Sequence, residues 1–172
     1  EIFKEWNDIE RTIEYAKQVG YDGLEIAPFT LSQYVTDISD SVRKTIVRKA
    51  GQTGLEILGI HWVLVGPDGM YLTHPDKAVR DRTAQYVIDL ANFCGDVGGK
   101  VMIFGSPKQR NVMDGVTYQQ AFDYAVEVFE RALPTCAKRG VTICMEPLTH
   151  QETNFCQTAQ QAVDLIERIN HP

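Results

Sequence analysis

A single carboxylate, Glu146, stands at the end of an apolar run that is typical of a buried strand. The run covers residues 141–146 and is closed by Pro147, which cannot continue a strand ladder. Near-continuous apolarity favours a parallel strand covered on both faces. Because burying an unpaired carboxylate is costly, we expect Glu146 to be shielded from water and to face a cation, a proton or several donors. At the carboxyl end of a parallel strand, that partner is often a catalytic metal or a substrate.

The period of two along a strand predicts which side chains accompany this carboxylate. Residues 142, 144 and 146 should share one face, and residues 141, 143 and 145 the other. In an earlier apolar run, His61 should share an inward face with Ile57 and Gly59, close to the carboxyl end of its strand. Contact between His61 and a substrate is the functional interpretation, and a hydrogen-bonded core histidine is the alternative.

Three further charged residues lie where strands are predicted to end. Glu25 should face the same interior, as a hydrogen-bond acceptor in a pocket or as the partner of a nearby cation. Lys108 and Arg110 follow another strand and suit an anionic group such as a phosphate or carboxylate, with Arg110 favoured for its bidentate geometry. The alternative is a basic loop that makes surface ion pairs. The loop has no P-loop pattern, which argues against nucleotide binding.

The composition excludes some partners. The chain has 172 residues, a formal net charge of −6 and no basic cluster, so nucleic acid is not expected as the main partner. No apolar run approaches the roughly 20 residues of a membrane span, and no membrane partner is expected. The four cysteines form no C-x-x-C pair and are interpreted as reduced core thiols of a cytoplasmic protein.

Helical and strand patterns alternate along the whole chain. Strands are predicted at 21–27, 56–64, 100–106 and 141–148, and helices begin near Asn7, Ser39, Pro75, Thr117 and Thr158. Pro134 is expected to kink the fourth helix. The strands recur about every 40 residues with no linker, which predicts one α/β domain over residues 1–172.

Strict alternation leaves two architectures open, a doubly wound open sheet and a (β/α)8 barrel. No G-x-G-x-x-G follows a strand, which disfavours the nucleotide-binding open sheet. A complete barrel needs about 250 residues. The chain is therefore either a small open sheet or part of a barrel.

Four stretches together resemble the sugar phosphate isomerase/epimerase family of xylose isomerase-like TIM barrels, which includes ketose 3-epimerases, hydroxypyruvate isomerases and inosose dehydratases. The stretches are residues 21–25, 59–62, 105–110 and 144–148, each near the end of a predicted strand. The resemblance implies a partial (β/α)8 barrel that holds roughly strands 2 to 5 and lacks the first strand and the last three βα units, truncated at both ends.

The resemblance also implies roles for two glutamates. Glu146 matches the family's metal ligand and acid/base carboxylate, and Glu152 matches a glutamate that contacts substrate, with a solvated loop carboxylate as the alternative. The other ligands are an Asp, a His and a Glu from later strands, which cannot be placed in this chain. The 172 residues alone are accordingly expected to be inactive. His150 stands where some epimerases have Arg.

The implied activity is isomerisation or epimerisation of a small ketose, ketose phosphate or related hydroxy-carbonyl compound. A divalent ion (Mn, Mg, Co or Zn) would stabilise an enediolate while a glutamate moves the proton. A dehydratase would begin with the same step. The alternatives are a DNA-repair nuclease of endonuclease IV type, disfavoured by the acidic balance, and a non-catalytic sugar-binding protein. Family members are often homo-oligomers, which is a possibility for this protein.

Overall fold

The computed structural model describes residues 8–171. The expected helix cap at Asn7 lies outside the described residues, and the first helix is capped by Asp8. Five helices and four strands follow one another in strict alternation. They are α1 (Ile9–Gln18), β1 (Gly23–Ile26), α2 (Asp40–Thr53), β2 (Glu56–Ile60), α3 (Lys77–Asp96), β3 (Val101–Phe104), α4 (Tyr118–Arg139), β4 (Thr142–Met145) and α5 (Ala159–Ile169).

The four strands form one parallel sheet in the order β1-β2-β3-β4. Each crossover helix leads to the next strand in space, and consecutive helices pack against each other from α1 to α5. Since parallel crossovers are right-handed, a strand order that never reverses places all the helices on one face of the sheet. This arrangement is a sector of a (β/α)8 barrel and confirms the partial barrel over the doubly wound sheet.

Local sequence explains where the helices begin and end. The hydroxyls of Thr117 and Thr158 each accept from the backbone of the glutamine three residues later, in the two capping boxes expected of these helices. Gly54 and Gly140 end α2 and α4 in the left-handed conformation, which glycine adopts without a Cβ penalty.

Some predicted boundaries differ from those observed. All four strands are shorter than predicted, because the chain turns away from the sheet before the apolar runs end; β2, for example, ends at Ile60. Pro75 lies before α3, which is capped by Asp76 and begins at Lys77. The fourth helix continues past Pro134 to Arg139.

The hydrophobic core lies between the sheet and its helices. On β3, Met102 and Phe104 are fully buried, and the Phe104 ring meets Phe129 of α4 edge-on with centroids 4.9 Å apart. All four cysteines are free thiols, and only Cys144 is not fully buried. Among residues 8–171, no helix is both long and apolar enough to cross a bilayer. The opposite face of the sheet is the one that the helices do not cover.

Candidate functional site

Glu146 lies one residue beyond β4, at the carboxyl edge of the sheet. Its backbone N–H donates to the Phe104 carbonyl at 3.3 Å, which extends the pairing of β3 with β4. The side chain is exposed, so the expectation of a carboxylate shielded from water was wrong. The reason is that β4 is an edge strand of the described sheet, flanked only by β3.

Gly105 leaves the space that the Glu146 side chain occupies. A Cβ built on Gly105 would overlap Glu146 Oε2 and would also lie 3.1 Å from its carboxyl carbon. The carboxylate therefore rests directly against the backbone at the end of β3, in space that any other residue at position 105 would fill.

Glu25, on β1, lies within electrostatic range of this carboxylate. Burial raises the pKa of Glu25, and the negative charge of Glu146 raises it further. The pKa of the Cys144 thiol is raised by burial and, secondarily, by the charge of Glu25. Side chains from β1 and from the end of β4 thus share one electrostatic environment.

His61 follows β2, and its backbone N–H donates to the Ile26 carbonyl at 3.1 Å. The expected common face of His61, Gly59 and Ile57 was wrong for Ile57, which belongs to the core at 4% exposure. The register of β1 against β2 shifts by one residue, from Leu24–Ile57 to Glu25–Gly59, and this irregularity breaks the alternation.

Trp62 is a residue that the sequence did not single out for a role. Its φ of 55° lies in the left-handed region, which is rare for a residue with a bulky side chain. The indole is 39% exposed, and its ring centroid lies 6.3 Å from that of Phe29, which follows β1. Strained residues at strand ends are frequent in functional sites.

Ser106 links the loops that follow β2 and β3. The residue is fully buried, and its hydroxyl accepts from the Leu64 N–H at 2.9 Å. This bond holds the segment that carries His61 and Trp62 against the end of β3.

Arg110 and Lys108 share a short 3-10 helix but have different surroundings. Lys108 is exposed. Arg110 is fully buried, and its guanidinium donates to the backbone carbonyls of Phe104, Glu146 and Cys156. This position differs from the open, anion-facing one that the sequence led us to expect for Arg110.

Glu152 lies on the exposed loop after β4. Its Oε2 accepts from the Thr149 backbone N–H at 3.2 Å and from the Thr149 hydroxyl at 2.9 Å, so the carboxylate closes a local turn. Its charge is also close enough to raise the pKa of Arg110. Glu152 lies, like Glu146, beyond the carboxyl end of β4.

The described residues bring together part of a site. The charge of Glu146 acts on Glu25, and His61, Lys108 and Glu152 lie on the loops at the same carboxyl edge. Gly105, Ser106 and Trp62 were not predicted as site residues. Of these, Gly105 could have been found from the sequence, because a glycine directly after an apolar strand often marks a close approach by another group.

Metal binding needs several ligand side chains at one place. Within residues 8–171, no group of three or more His, Cys, Asp or Glu residues is arranged to hold a metal ion. The part of the chain that the structure describes therefore does not form a complete metal site, although Glu146 has a carboxylate available as one ligand.

A family model described as xylose isomerase-like TIM barrel matches residues 13–172. The chain belongs to this family. The fold and the resemblance noted from the four sequence stretches are both confirmed by this match.

Solved structures with this fold include several sugar epimerases. D-psicose 3-epimerase from Clostridium cellulolyticum H10, determined with D-tagatose, has a TM-score of 0.79 and 21% identity over 95% of this chain and 55% of its own. The 3-keto-D-glucoside 4-epimerase from E. coli has a TM-score of 0.75 and 17% identity, and the match covers 94% of this chain and 59% of the epimerase. An L-ribulose 3-epimerase has a TM-score of 0.74 and 18% identity, and the match covers 95% of this chain and 52% of the epimerase. The chain thus spans little more than half the length of these proteins.

Proposed function

We propose that the whole protein of which this chain forms a part is a sugar isomerase or epimerase that acts on a small ketose, a ketose phosphate or a related hydroxy-carbonyl compound. The observation that carries the proposal is the position of Glu146 directly after β4, at the carboxyl edge of a parallel barrel sheet, with its carboxylate against Gly105 at the end of β3. This edge is where barrel enzymes place their reacting groups. The three similar structures described above are sugar epimerases, which supports the same class of substrate.

In the proposed reaction, the Glu146 carboxylate accepts the proton of a carbon next to the substrate carbonyl. The electron pair of the broken C–H bond forms a C=C bond, and the carbonyl oxygen takes the negative charge. Return of a proton to the opposite face of that carbon gives the epimer. Return of a proton to the former carbonyl carbon, together with transfer of the hydroxyl proton from the neighbouring oxygen to the former carbonyl oxygen, gives the isomer. A positioned carboxylate of this kind contributes about 10²- to 10⁴-fold to a rate.

The remaining candidates are assigned to substrate binding. Glu25, on β1, is proposed to accept a hydrogen bond from a substrate hydroxyl group. His61 and Glu152 are proposed to contact hydroxyl groups, and Lys108 an anionic substituent where the substrate carries one. Arg110 is buried against backbone carbonyls and is proposed to act indirectly.

A divalent ion (Mn, Mg, Co or Zn), with Glu146 as one ligand, remains a prediction for the whole protein. When bound, such an ion would stabilise negative charge on the substrate oxygen. The residues of this chain do not complete a site for it, and the roles given above rest on side chains alone.

Solvent exchange tests the proposal directly. The full-length protein is incubated with Mn²⁺ in deuterated water with D-fructose, D-psicose, D-tagatose or L-ribulose, and the C–H signals next to the carbonyl are followed by NMR. We expect loss of one such signal and appearance of the epimer or isomer. Glu146→Gln should slow exchange by about 10²- to 10⁴-fold.

The matched control is Glu56→Gln, which removes an exposed carboxylate from the amino end of β2. It should leave the exchange rate unchanged. Absence of exchange with every sugar, with and without Mn²⁺, would refute the proposed function, as would equal rates in wild type and Glu146→Gln.

A further inference from the structure

Arg110 is a buried cation that makes no salt bridge with a carboxylate in the described residues. Its side chain is fully buried, and Nε has no hydrogen-bond partner there. The two terminal nitrogens donate to main-chain oxygens. Nη1 donates to Glu146 at 2.7 Å and to Phe104 at 3.2 Å, and Nη2 donates to Cys156 at 3.4 Å. Burial of a charge without a counter-ion is costly, so the arrangement calls for an explanation.

The three carbonyls belong to three different segments of the carboxyl edge. Phe104 is the last residue of β3, Glu146 directly follows β4, and Cys156 lies in the loop before α5. The shortest of the bonds is made to the carbonyl of the residue whose side chain is the candidate base. The guanidinium is planar and presents its donors in a fixed fork, so it can hold these segments at fixed separations.

The other largely buried arginine shows a different arrangement. Arg80 is 7% exposed and also donates to two backbone carbonyls, those of His74 and Pro75, both at 2.8 Å. In addition it pairs with the Glu127 carboxylate at 2.8 Å. Arg80 therefore has the counter-ion that Arg110 lacks, and Glu146 is not among its hydrogen-bond or ion-pair partners.

We propose that Arg110 is a positioning residue, which holds the backbone of Glu146 at the end of β3 so that the carboxylate keeps one orientation toward the substrate. This proposal rests on the proposed function, since it concerns how the same carboxylate is presented. In this proposal Arg110 does not touch the reacting atoms, because it is fully buried and its Nη1 and Nη2 donate to backbone carbonyls.

Two observations support this role. The negative charges of Glu146 and Glu152 both raise the pKa of Arg110, although burial is the larger effect and lowers it. The cation therefore lies within electrostatic reach of both glutamates. Gly105 and Arg110 also both contact Glu146. Gly105 leaves space for the Glu146 side chain, and Arg110 donates to the Glu146 carbonyl.

The loops have a second connection, which makes the effect of Arg110 separable from folding. The Asn154 Oδ1 accepts from the Val112 N–H at 2.6 Å, and the Asn111 Oδ1 accepts from the Asn154 N–H at 3.1 Å. Since these bonds join the loops after β3 and β4 independently of Arg110, its replacement should loosen the Glu146 segment without separating the two loops.

The test compares three variants of the full-length protein, Arg110→Met, Arg110→Lys and Arg80→Met. Amide hydrogen exchange is measured for peptides covering residues 144–150, and kcat and KM are measured with Mn²⁺ and the sugar that wild type turns over. For Arg110→Met we expect faster exchange of the 144–150 amides and a kcat at least 10-fold lower, with KM changed less than 3-fold. Arg110→Lys, which keeps a charge and three donors, should recover part of both losses.

Arg80→Met is the matched control for a buried arginine that supports backbone carbonyls. It should lower the melting temperature while leaving the 144–150 amides and kcat as in wild type. Unchanged amide exchange in Arg110→Met would overturn the proposal, and so would faster exchange with an unchanged kcat. A KM increase confined to phosphorylated ketoses, measured with D-fructose 6-phosphate against D-fructose, would assign Arg110 to substrate binding instead.

The amide measurement separates this proposal from the proposed function. If wild type has no activity on any sugar, the function fails and the positioning of a catalytic carboxylate fails with it. The hydrogen-exchange result then still reports whether Arg110 holds the end of β4.

Discussion

The carboxylate of Glu146 occupies the space that a side chain on Gly105 would take. A methyl group there would overlap Glu146 Oε2 and would be 3.7 Å from the Glu146 Cβ. Because the overlapping atom is the far end of a flexible side chain, Gly105→Ala should displace the carboxylate with little effect on folding. A misplacement of about 1 Å can cost about 10²-fold in rate, so we expect kcat to fall by about 10- to 100-fold.

The control for this substitution is Gly51→Ala in α2, where the new methyl group would meet no other atom within 4 Å. Alanine in a helix is favoured over glycine by about 0.5–1 kcal/mol, so this variant should be slightly more stable and fully active. Steady-state kinetics and thermal unfolding of both variants provide the comparison. Equal kcat values for Gly105→Ala and wild type would contradict the prediction.

The pKa of Glu25 should depend on Glu146. Burial is the main cause of its raised pKa and the Glu146 charge the second, so Glu146→Gln should lower the pKa of Glu25 without returning it to its ordinary value. Glu152→Gln should leave it unchanged, since Glu152 does not contribute to the shift. Carbon-detected NMR titration of the Glu25 carboxyl in the three proteins measures both effects.

Glu25 should also make stability depend on pH. Its pKa in the folded protein lies above the ordinary value of 4.5. At pH values between these two pKa values, the folded state therefore binds more protons than the unfolded state. The Glu25 contribution therefore favours folding below pH 4.5 and is lost as pH rises through the folded pKa. Relative to wild type, Glu25→Gln should gain stability toward neutral pH, by less than about 1 kcal/mol because solvent screens a half-buried group.

Urea unfolding at several pH values between 4 and 8 measures this difference. A stability difference between wild type and Glu25→Gln that is constant across the range would show that Glu25 titrates alike in both states.

Ser106→Ala should destabilise the protein by about 1–3 kcal/mol, because it leaves the buried Leu64 N–H without its acceptor. Ser41→Ala, at an exposed position in α2, is the control and should change the free energy of unfolding by less than about 0.5 kcal/mol. Chemical denaturation of both variants tests the difference.

The four thiols should differ in reactivity. Burial raises the pKa of Cys94 to about 12 and that of Cys136 to about 11, so iodoacetamide at pH 8 should leave both unmodified in the folded protein. Cys144 is only half-buried and should react first. Its pKa is raised partly by Glu25, so Glu25→Gln should accelerate its alkylation. Mass spectrometry of tryptic peptides identifies the modified residue, and modification of Cys94 before Cys144 would contradict this order.

The elements of the fold could be predicted because local rules act on short stretches. The helix starts predicted near Thr117 and Thr158 need only neighbouring residues, and both are confirmed as capping boxes. The parallel barrel sector followed from alternation together with the resemblance. The role of Glu146 itself is still a prediction.

The errors concern contacts between distant segments. The exposure of Glu146 depends on whether a strand pairs beyond β4, and the burial of Arg110 depends on carbonyls up to 46 residues away. The register shift at Leu24 and Glu25 arises from pairing with β2 and leaves no mark in local composition. These features follow from tertiary structure. The spacing of apolar residues along the chain, with a period of 2 or 3.6 residues, predicts strands and helices but not contacts between distant segments.

The left-handed backbone at Trp62 has a consequence for how this protein would evolve in the laboratory. A non-glycine residue in this conformation costs about 1–3 kcal/mol, and glycine would remove that cost. Selection for heat resistance alone should therefore replace the indole by glycine or asparagine. Under the proposed function, selection for growth on a sugar substrate should retain the indole if the ring borders that substrate, so the two lineages would differ at this codon.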